Sequence, residues 1–218
     1  MTARPARVAG VYLVTDFALC AERGVVDTVR AAVDGGVRVI QLRDKTAGDE
    51  EFYDLVVQTA DAVGDHALIL VNDRVEVFLT ARSAGAAVHG VHLGQGDMGP
   101  VEARRKIGPD AILGLSASTA AQLADAHRLP ERTVDYFGVG VIWPTATKPD
   151  HPRPLGVTGF RALADLTPLP CVAIGGITAA DLPAIRAAGG SGAAVVSAIC
   201  GTPEPRLSAG RLVAAWER

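Results

Sequence analysis

The strongest constraint on the fold of this chain is a repeat in its apolar pattern. Short apolar runs alternate with amphipathic segments eight times, at a pitch of roughly 25 residues. No two runs are joined by a hairpin-length turn. The runs are Val11–Thr15, Val37–Leu42, Ala67–Val71, Gly90–Leu93, Ala111–Leu115, one opening at Tyr136, then Cys171–Ile174 and Ala193–Val196. Between them, helical spacing predicts helices over Gly24–Asp34, Val75–Arg82, Gly99–Ile107, Thr119–Arg128 and Thr158–Leu166. Asp49 is expected to cap a further helix bearing Phe52, Leu55, Val56, Ala60 and Val63, and Thr178 another; a last helix falls within Pro203–Trp216. Right-handed strand–helix–strand crossovers repeated eight times close into a (β/α)8 TIM barrel. An open doubly wound sheet is the alternative, and the chain has no GxGxxG after its first strand. The expectation is one α/β domain over residues 1–218, with residues 1–9 as a peripheral or flexible N-terminal segment.

Composition agrees. Apolar residues make up 49% of the chain but aromatics only 5%, so the core is built from Ala, Val, Leu and Ile, as in parallel strands covered on both faces. A net charge of −3 without a Lys/Arg cluster points away from nucleic acid. No run of about eighteen apolar residues is present to span a membrane. Cys20, Cys171 and Cys200 are scattered, with no CxxC pair and no disulfide framework. The N-terminal MTARPARVAG has no apolar stretch of signal-peptide length. A reducing cytoplasm is the simplest setting, and the sequence sets no oligomeric state, a homo-oligomer included.

Polar residues gather just after the strands: Gln41, Arg43, Lys45; Asn72, Asp73; Gln95, Asp97; Ser116; Thr145, Thr147, Lys148; Gly176; Ser197. A closed barrel turns every strand C-terminus to one rim, where barrel active sites sit. Singly, each of these is equally a cap, a turn former or a surface charge; together they outline three sub-sites. Gly175-Gly176 and Val196-Ser197 suit a phosphate cup. Asp73 and Asp97, two carboxylates with few other ligands, suit Mg²⁺. Arg43, Lys45 and Lys148 bring the positive charge that a departing diphosphate needs. His92 raises the possibility of zinc, but it lies within a strand with no Cys at ligand spacing, which favours a core or rim histidine. The stretch Tyr136–Val157 starts as a strand and passes into a loop with prolines at 144, 149, 152 and 154. Its length and polarity mark either a linker or a functional loop. There is no GxSxG, HExxH or P-loop, so triads and ATP hydrolysis lack support.

These residues occur in recognisable runs: YLVTD at 12–16, QLRDK at 41–45, NDR at 72–74, GVHLGQGD at 90–97, GLS at 114–116, YFGVGVIWPTATK at 136–148, AIGGI at 173–177 and AVVSAI at 194–199. In that order, over nearly the whole chain, the sequence resembles the thiamine-phosphate synthase family. The resemblance implies transfer of the pyrimidinylmethyl group of 4-amino-2-methyl-5-(diphosphooxymethyl)pyrimidine to the nitrogen of 4-methyl-5-(2-phosphooxyethyl)thiazole, releasing pyrophosphate. It implies pyrimidine-diphosphate contacts from Gln41, Leu42, Arg43, Asp44, Lys45, Asn72, Ser116 and Lys148. Thiazole-phosphate contacts would come from Thr145, Ala146, Thr147, Gly176, Val196 and Ser197. One Mg²⁺ per subunit would be held by Asp73 and Asp97, with Lys45 and Lys148 stabilising the leaving pyrophosphate. The Tyr136–Val157 stretch then becomes the loop after strand six, and its part beyond Lys148, with His151 and Arg153, a lid over the diphosphate. Two departures stand out: RSAGAAV at 82–88 is looser than usual, and Trp143 replaces an expected Phe. Three readings compete: a thiazole tautomerase would have little use for Asp73, Asp97 and Lys148; a phosphosugar isomerase or epimerase would need an acid/base pair that the residues do not supply; and a barrel kept as a regulatory subunit would have lost rim residues, none of which is missing.

Overall fold

The computed structural model describes residues 8–145, 147 and 153–218. Its strands are β1 (Gly10–Val14), β2 (Val39–Leu42), β3 (Leu68–Asn72), β4 (Gly90–Leu93), β5 (Ile112–Ala117), β6 (Tyr136–Gly140), β7 (Cys171–Ile174) and β8 (Gly192–Val195). The helices are α1 (Phe17–Cys20), α2 (Val25–Asp34), α3 (Asp49–Val63), α4 (Val75–Ser83), α5 (Pro100–Ile107), α6 (Ala120–His127), α7 (Gly156–Ala164), α8 (Leu182–Ala187), α9 (Ser197–Cys200) and α10 (Pro205–Glu217). All strands are parallel, neighbours in sequence are neighbours in space, and β8 returns to β1 to close the barrel. The expected (β/α)8 architecture is therefore present.

Local signals explain most boundaries. Gly36, at φ 102°, lets α2 end with the amides of Gly36 and Val37 folded back onto the carbonyls of Val33 and Ala32. That closure consumes Val37, so β2 starts at Val39 rather than at the apolar run's first residue. Thr119 caps α6 as expected, its hydroxyl accepting from the Gln122 amide at 3.2 Å. Two expected caps differ. Asp49 is the first residue inside α3, where a carboxylate still complements the helix dipole, and Gly48 precedes it. Asp181 takes the position before α8, and Thr178 donates to it through its amide and hydroxyl at 2.8 and 2.7 Å. The four-residue helices α1 and α9 have no counterpart in the apolar periodicity, being too short to show one.

Alternation along each strand sorts side chains into two apolar layers. Val11, Leu13, Ile40, Leu42, Ile69, Val71, Val91, Leu93 and their counterparts face the helices. Tyr12, Val14, Val39, Leu70, Ile112, Tyr136, Val172 and Ala194 fill the barrel interior. Two tyrosines and the buried His92 are large for so narrow a space, and glycines on β5 and β6 make room. A Cβ at Gly114 would lie 2.3 Å from the Tyr136 ring and 2.5 Å from His92 Nδ1; one at Gly138 would lie 2.9 Å from the His92 ring. Gly114→Ala is expected to lower stability by about 2–3 kcal/mol, or roughly 5–10 °C in Tm, because rings bonded into the core cannot move aside. Thermal unfolding followed by circular dichroism measures this, and an unchanged Tm would contradict the packing argument.

Candidate active site

The rim at the strand C-termini is built loop by loop. After β1, buried Thr15 is bonded both ways to the next loop: its hydroxyl accepts from the Arg43 amide at 2.9 Å and donates to the Arg43 carbonyl at 3.3 Å. The Arg43 guanidinium lies 3.7 Å from Asp16, which also caps α1 by accepting from the Leu19 amide. In the QLRDK run, Gln41 points into the barrel, Leu42 packs outward against the helices, and Lys45 is exposed at the rim. Leu42 thus has only its backbone to offer a ligand. Asp44 shapes the turn. Burial opposes its ionisation, but hydrogen bonds from the Thr46 amide and hydroxyl and the Ala47 amide, with the charge of Arg74, outweigh burial and hold its carboxyl below the usual range.

Arg74 is a brace that sequence reading left unassigned. Its guanidinium donates to the carbonyls of Ala47 and Asp44 at 2.7 and 3.2 Å, pairs with Asp49 at 3.1 Å and stacks over Phe52. It ties the loop after β3 to the loop after β2. Next to it, Asp73 adopts the left-handed conformation (φ 61°), which Asp and Asn tolerate better than most residues, with its amide bonded to the His92 carbonyl. This backbone turn aims Asp73 at Asp97. The Asp97 carboxylate accepts from the Gly94 amide at 2.6 Å, and a Cβ at Gly94 would come within 2.8 Å of it. Burial, then the hydrogen bond and charge of Asp97, push the Asp73 carboxyl up to about 6, against the opposing pull of Lys45 and Asn72. Two acids are thus held together with Lys45 nearby. Among the described residues no cluster of three or more His, Cys, Asp or Glu side chains forms.

A buried polar chain runs beneath these loops. Gln41 Nε2 donates to the Tyr12 hydroxyl at 2.7 Å; the Tyr12 and Tyr136 hydroxyls lie 3.0 Å apart; the Tyr136 hydroxyl lies 2.8 Å from His92 Nδ1; and His92 Nε2 lies 3.0 Å from Ser116 Oγ. His92 is therefore a core histidine, and burial pushes its ring down to about 4. Gln95 reaches across from the loop after β4 to donate to the Ser116 carbonyl at 2.6 Å.

On the far side, Thr145 and Thr147 are joined hydroxyl to hydroxyl at 2.7 Å. The Trp143 amide donates to the Gly175 carbonyl at 3.0 Å, and its indole N–H donates to Asp181 at 3.0 Å, a bond the expected Phe could not make. Gly176, at φ 64°, lies against Trp143 and Pro144, where a Cβ would come within 2.8 Å of both residues. Val196 and Ser197 form the start of α9. Arg153 is exposed. Ala146, Lys148 and His151 lie outside the described residues. A groove of about 1030 Å³ between α2 and α10 involves none of the sequence-predicted site residues.

The repulsion between Asp73 and Asp97 gives a test of this geometry. Asp73→Asn keeps the left-handed backbone and removes one charge, so the metal-free protein is expected to gain roughly 1 kcal/mol, about 2–4 °C in Tm. Calorimetry in chelator at pH 8 measures it; a lower Tm would mean the two acids are not in conflict.

Known proteins resemble this chain over most of its length. The profile of the thiamine monophosphate synthase family matches residues 11–199. A thiamine-phosphate synthase of Psychrobacter sp. (strain PRwf-1) is 44% identical over 204 residues, covering 94% of this chain and 93% of that protein. One from Corynebacterium efficiens is 42% identical over 189 residues, 87% of each. Among solved structures, a thiamine phosphate pyrophosphorylase from Pyrococcus furiosus superposes with a TM-score of 0.83 at 31% identity, covering 98% of this chain and 97% of that one. With a matching family profile over most of its length and relatives of this identity, the chain belongs to the thiamine-phosphate synthase family.

Proposed function

We propose that this chain joins 4-amino-2-methyl-5-(diphosphooxymethyl)pyrimidine to 4-methyl-5-(2-phosphooxyethyl)thiazole, forming thiamine phosphate and releasing pyrophosphate. The observation that supports it best is the Asp73–Asp97 pair with Lys45 beside it, on the same rim as Gln41 and Ser116, in a member of this family.

The donor set fits Mg²⁺. Asp73 and Asp97 offer oxygen only, their mutual repulsion leaves negative charge uncompensated, and a phosphorylated substrate would complete the shell. When bound, the ion supplies charge neutralisation for the diphosphate as it leaves. Lys45, and Lys148 from the loop after β6, add fixed positive charge at the same group. Gln41, Leu42, Arg43, Asp44 and Asn72 line the pyrimidine diphosphate, Leu42 through its backbone. The thiazole phosphate is assigned to Thr145, Ala146, Thr147, Gly176, Val196 and Ser197, where the short helix after β8 adds its amides, as in many barrels.

No general base is required. The aminopyrimidine releases electrons towards its methylene carbon as the C–O bond to pyrophosphate breaks, and the thiazole nitrogen, already a lone-pair donor, forms the new C–N bond. The chain's task is orientation, charge compensation and exclusion of water. Three buried free cysteines suit a cytoplasmic enzyme. No helix among the described residues is long and apolar enough to cross a membrane.

Incubation with both substrates is expected to yield thiamine phosphate and pyrophosphate in equal amounts with Mg²⁺ and neither in excess chelator. Absence of both products with Mg²⁺ present rejects the reading. Lys45→Ala is expected to lower kcat by about 10²–10³ with little change in Tm, as for removal of one electrostatic stabiliser of a leaving group; near-normal turnover would remove Lys45 from the role.

A further inference from the structure

The five polar side chains inside the barrel obey a strict donor count. Tyr12 accepts from Gln41 Nε2, so the Tyr12 hydrogen has one remaining acceptor in reach, the Tyr136 oxygen. The Tyr136 hydrogen then goes to His92 Nδ1, which must be bare. The ring proton therefore sits on Nε2 and is donated to Ser116 Oγ. Each bond dictates the next, and none of these buried polar atoms is left unsatisfied. The reverse order is equally complete, but only if all four bonds turn round together. Tyr12, Tyr136 and His92 are 2%, 1% and 8% exposed, so hydration cannot easily complete a partly reversed chain. Packing also holds the rings in place, because Gly114 and Gly138 leave no slack around Tyr136 and His92.

Both ends emerge among the residues assigned to the pyrimidine diphosphate. Among the described residues, nothing bonds to Gln41 Oε1, and Ser116 Oγ has no partner besides His92. With the chain in the observed order, Gln41 presents a carbonyl acceptor beside its second N–H donor, and the Ser116 hydroxyl is free to donate. A 4-aminopyrimidine edge, an amine donor next to a ring-nitrogen acceptor, is the complement of that carboxamide. A 4-oxopyrimidine edge carries the opposite pair and demands a flipped amide. An isolated glutamine flips at small cost; this one cannot flip without reversing Tyr12, Tyr136, His92 and Ser116 as well.

We propose that Tyr12, Tyr136 and His92 are positioning residues that lock the orientation of the Gln41 carboxamide and so make the site select a 4-amino over a 4-oxo pyrimidine. This rests on the assignment of Gln41 to the pyrimidine diphosphate, and the test separates the two.

Calorimetric Kd values are measured for the 4-amino and 4-oxo pyrimidine diphosphates, with Mg²⁺, on the wild-type protein and on Tyr136→Phe, which cuts the chain at its centre and keeps the ring. The wild-type ratio is expected to favour the amino compound, and Tyr136→Phe to reduce that ratio about tenfold, the worth of one hydrogen bond. A merely structural Tyr136 would change Tm and leave the ratio alone, and that result overturns the proposal. Long-range ¹⁵N NMR of the His92 ring decides independently, even if Tyr136→Phe does not fold. The proton is expected on Nε2 in the wild type; finding it on Nδ1 overturns the order of the chain. If His92 carries the expected proton but neither pyrimidine binds, the substrate assignment fails and the internal order stands.

Discussion

The seam between the first and last strands is the constraint on which everything else depends. A parallel sheet left open would present two unpaired edges, and closure removes both. Here Gly10 pairs with Gly192, Val11 with Ala193, Tyr12 with Ala194 and Leu13 with Val195. The seam is tight on one side: a Cβ at Gly192 would lie 2.7 Å from the Gly10 carbonyl oxygen, so at Gly192, in its first rung, there is space for backbone alone. Once that rung forms, strand direction is common to all eight and every loop that follows a strand meets the same rim.

Closure also determines electrostatics. Asp73 and Asp97 belong to loops after adjacent strands, β3 and β4, and a parallel register brings their ends level. The left-handed turn at Asp73 and the Gly94 amide under Asp97 then set the two carboxylates against each other. A protein does not build such a conflict for stability. Burial and the neighbouring Asp97 raise the Asp73 carboxyl above the ordinary carboxylate range, and a positive charge near the pair opposes that shift, as Lys45 does. Arg74 keeps the loop rigid from the outside, spending its charge on carbonyls and Asp49 rather than on the acids.

Inside the barrel the same economy applies to hydrogen bonds. An interior filled with Val, Leu and Ile would be easier to satisfy, yet five strands contribute polar groups that bond only to one another before reaching the rim. Glycines on two of those same strands, Gly114 on β5 and Gly138 on β6, make room for the rings. The interior is thus a packed core that is also continuous with the rim.

The apolar repeat alone determined the architecture, because eight parallel strands with helical crossovers have few other ways to bury both faces. It also placed the polar residues, since those just after buried strands have a single rim to occupy. The positions of Gln41, Asp73, Asp97 and Ser116 at the strand ends were legible for that reason, and Thr119 as a cap because capping is local. What the sequence could not show were relations across strands. Nothing in the spacing of Tyr12, His92 and Tyr136 says that their polar atoms meet, nor that Gly114 and Gly138 exist to admit their rings. Arg74 and Asp181 were silent likewise, Trp143 showed only as a departure from an expected Phe, and the caps at Asp49 and Thr178 shifted, because each depends on partners set by the fold. Periodicity and turn chemistry act over a few residues and survive in the linear chain; contacts between residues 124 apart, such as the Tyr12 and Tyr136 hydroxyls, exist only after the barrel has closed.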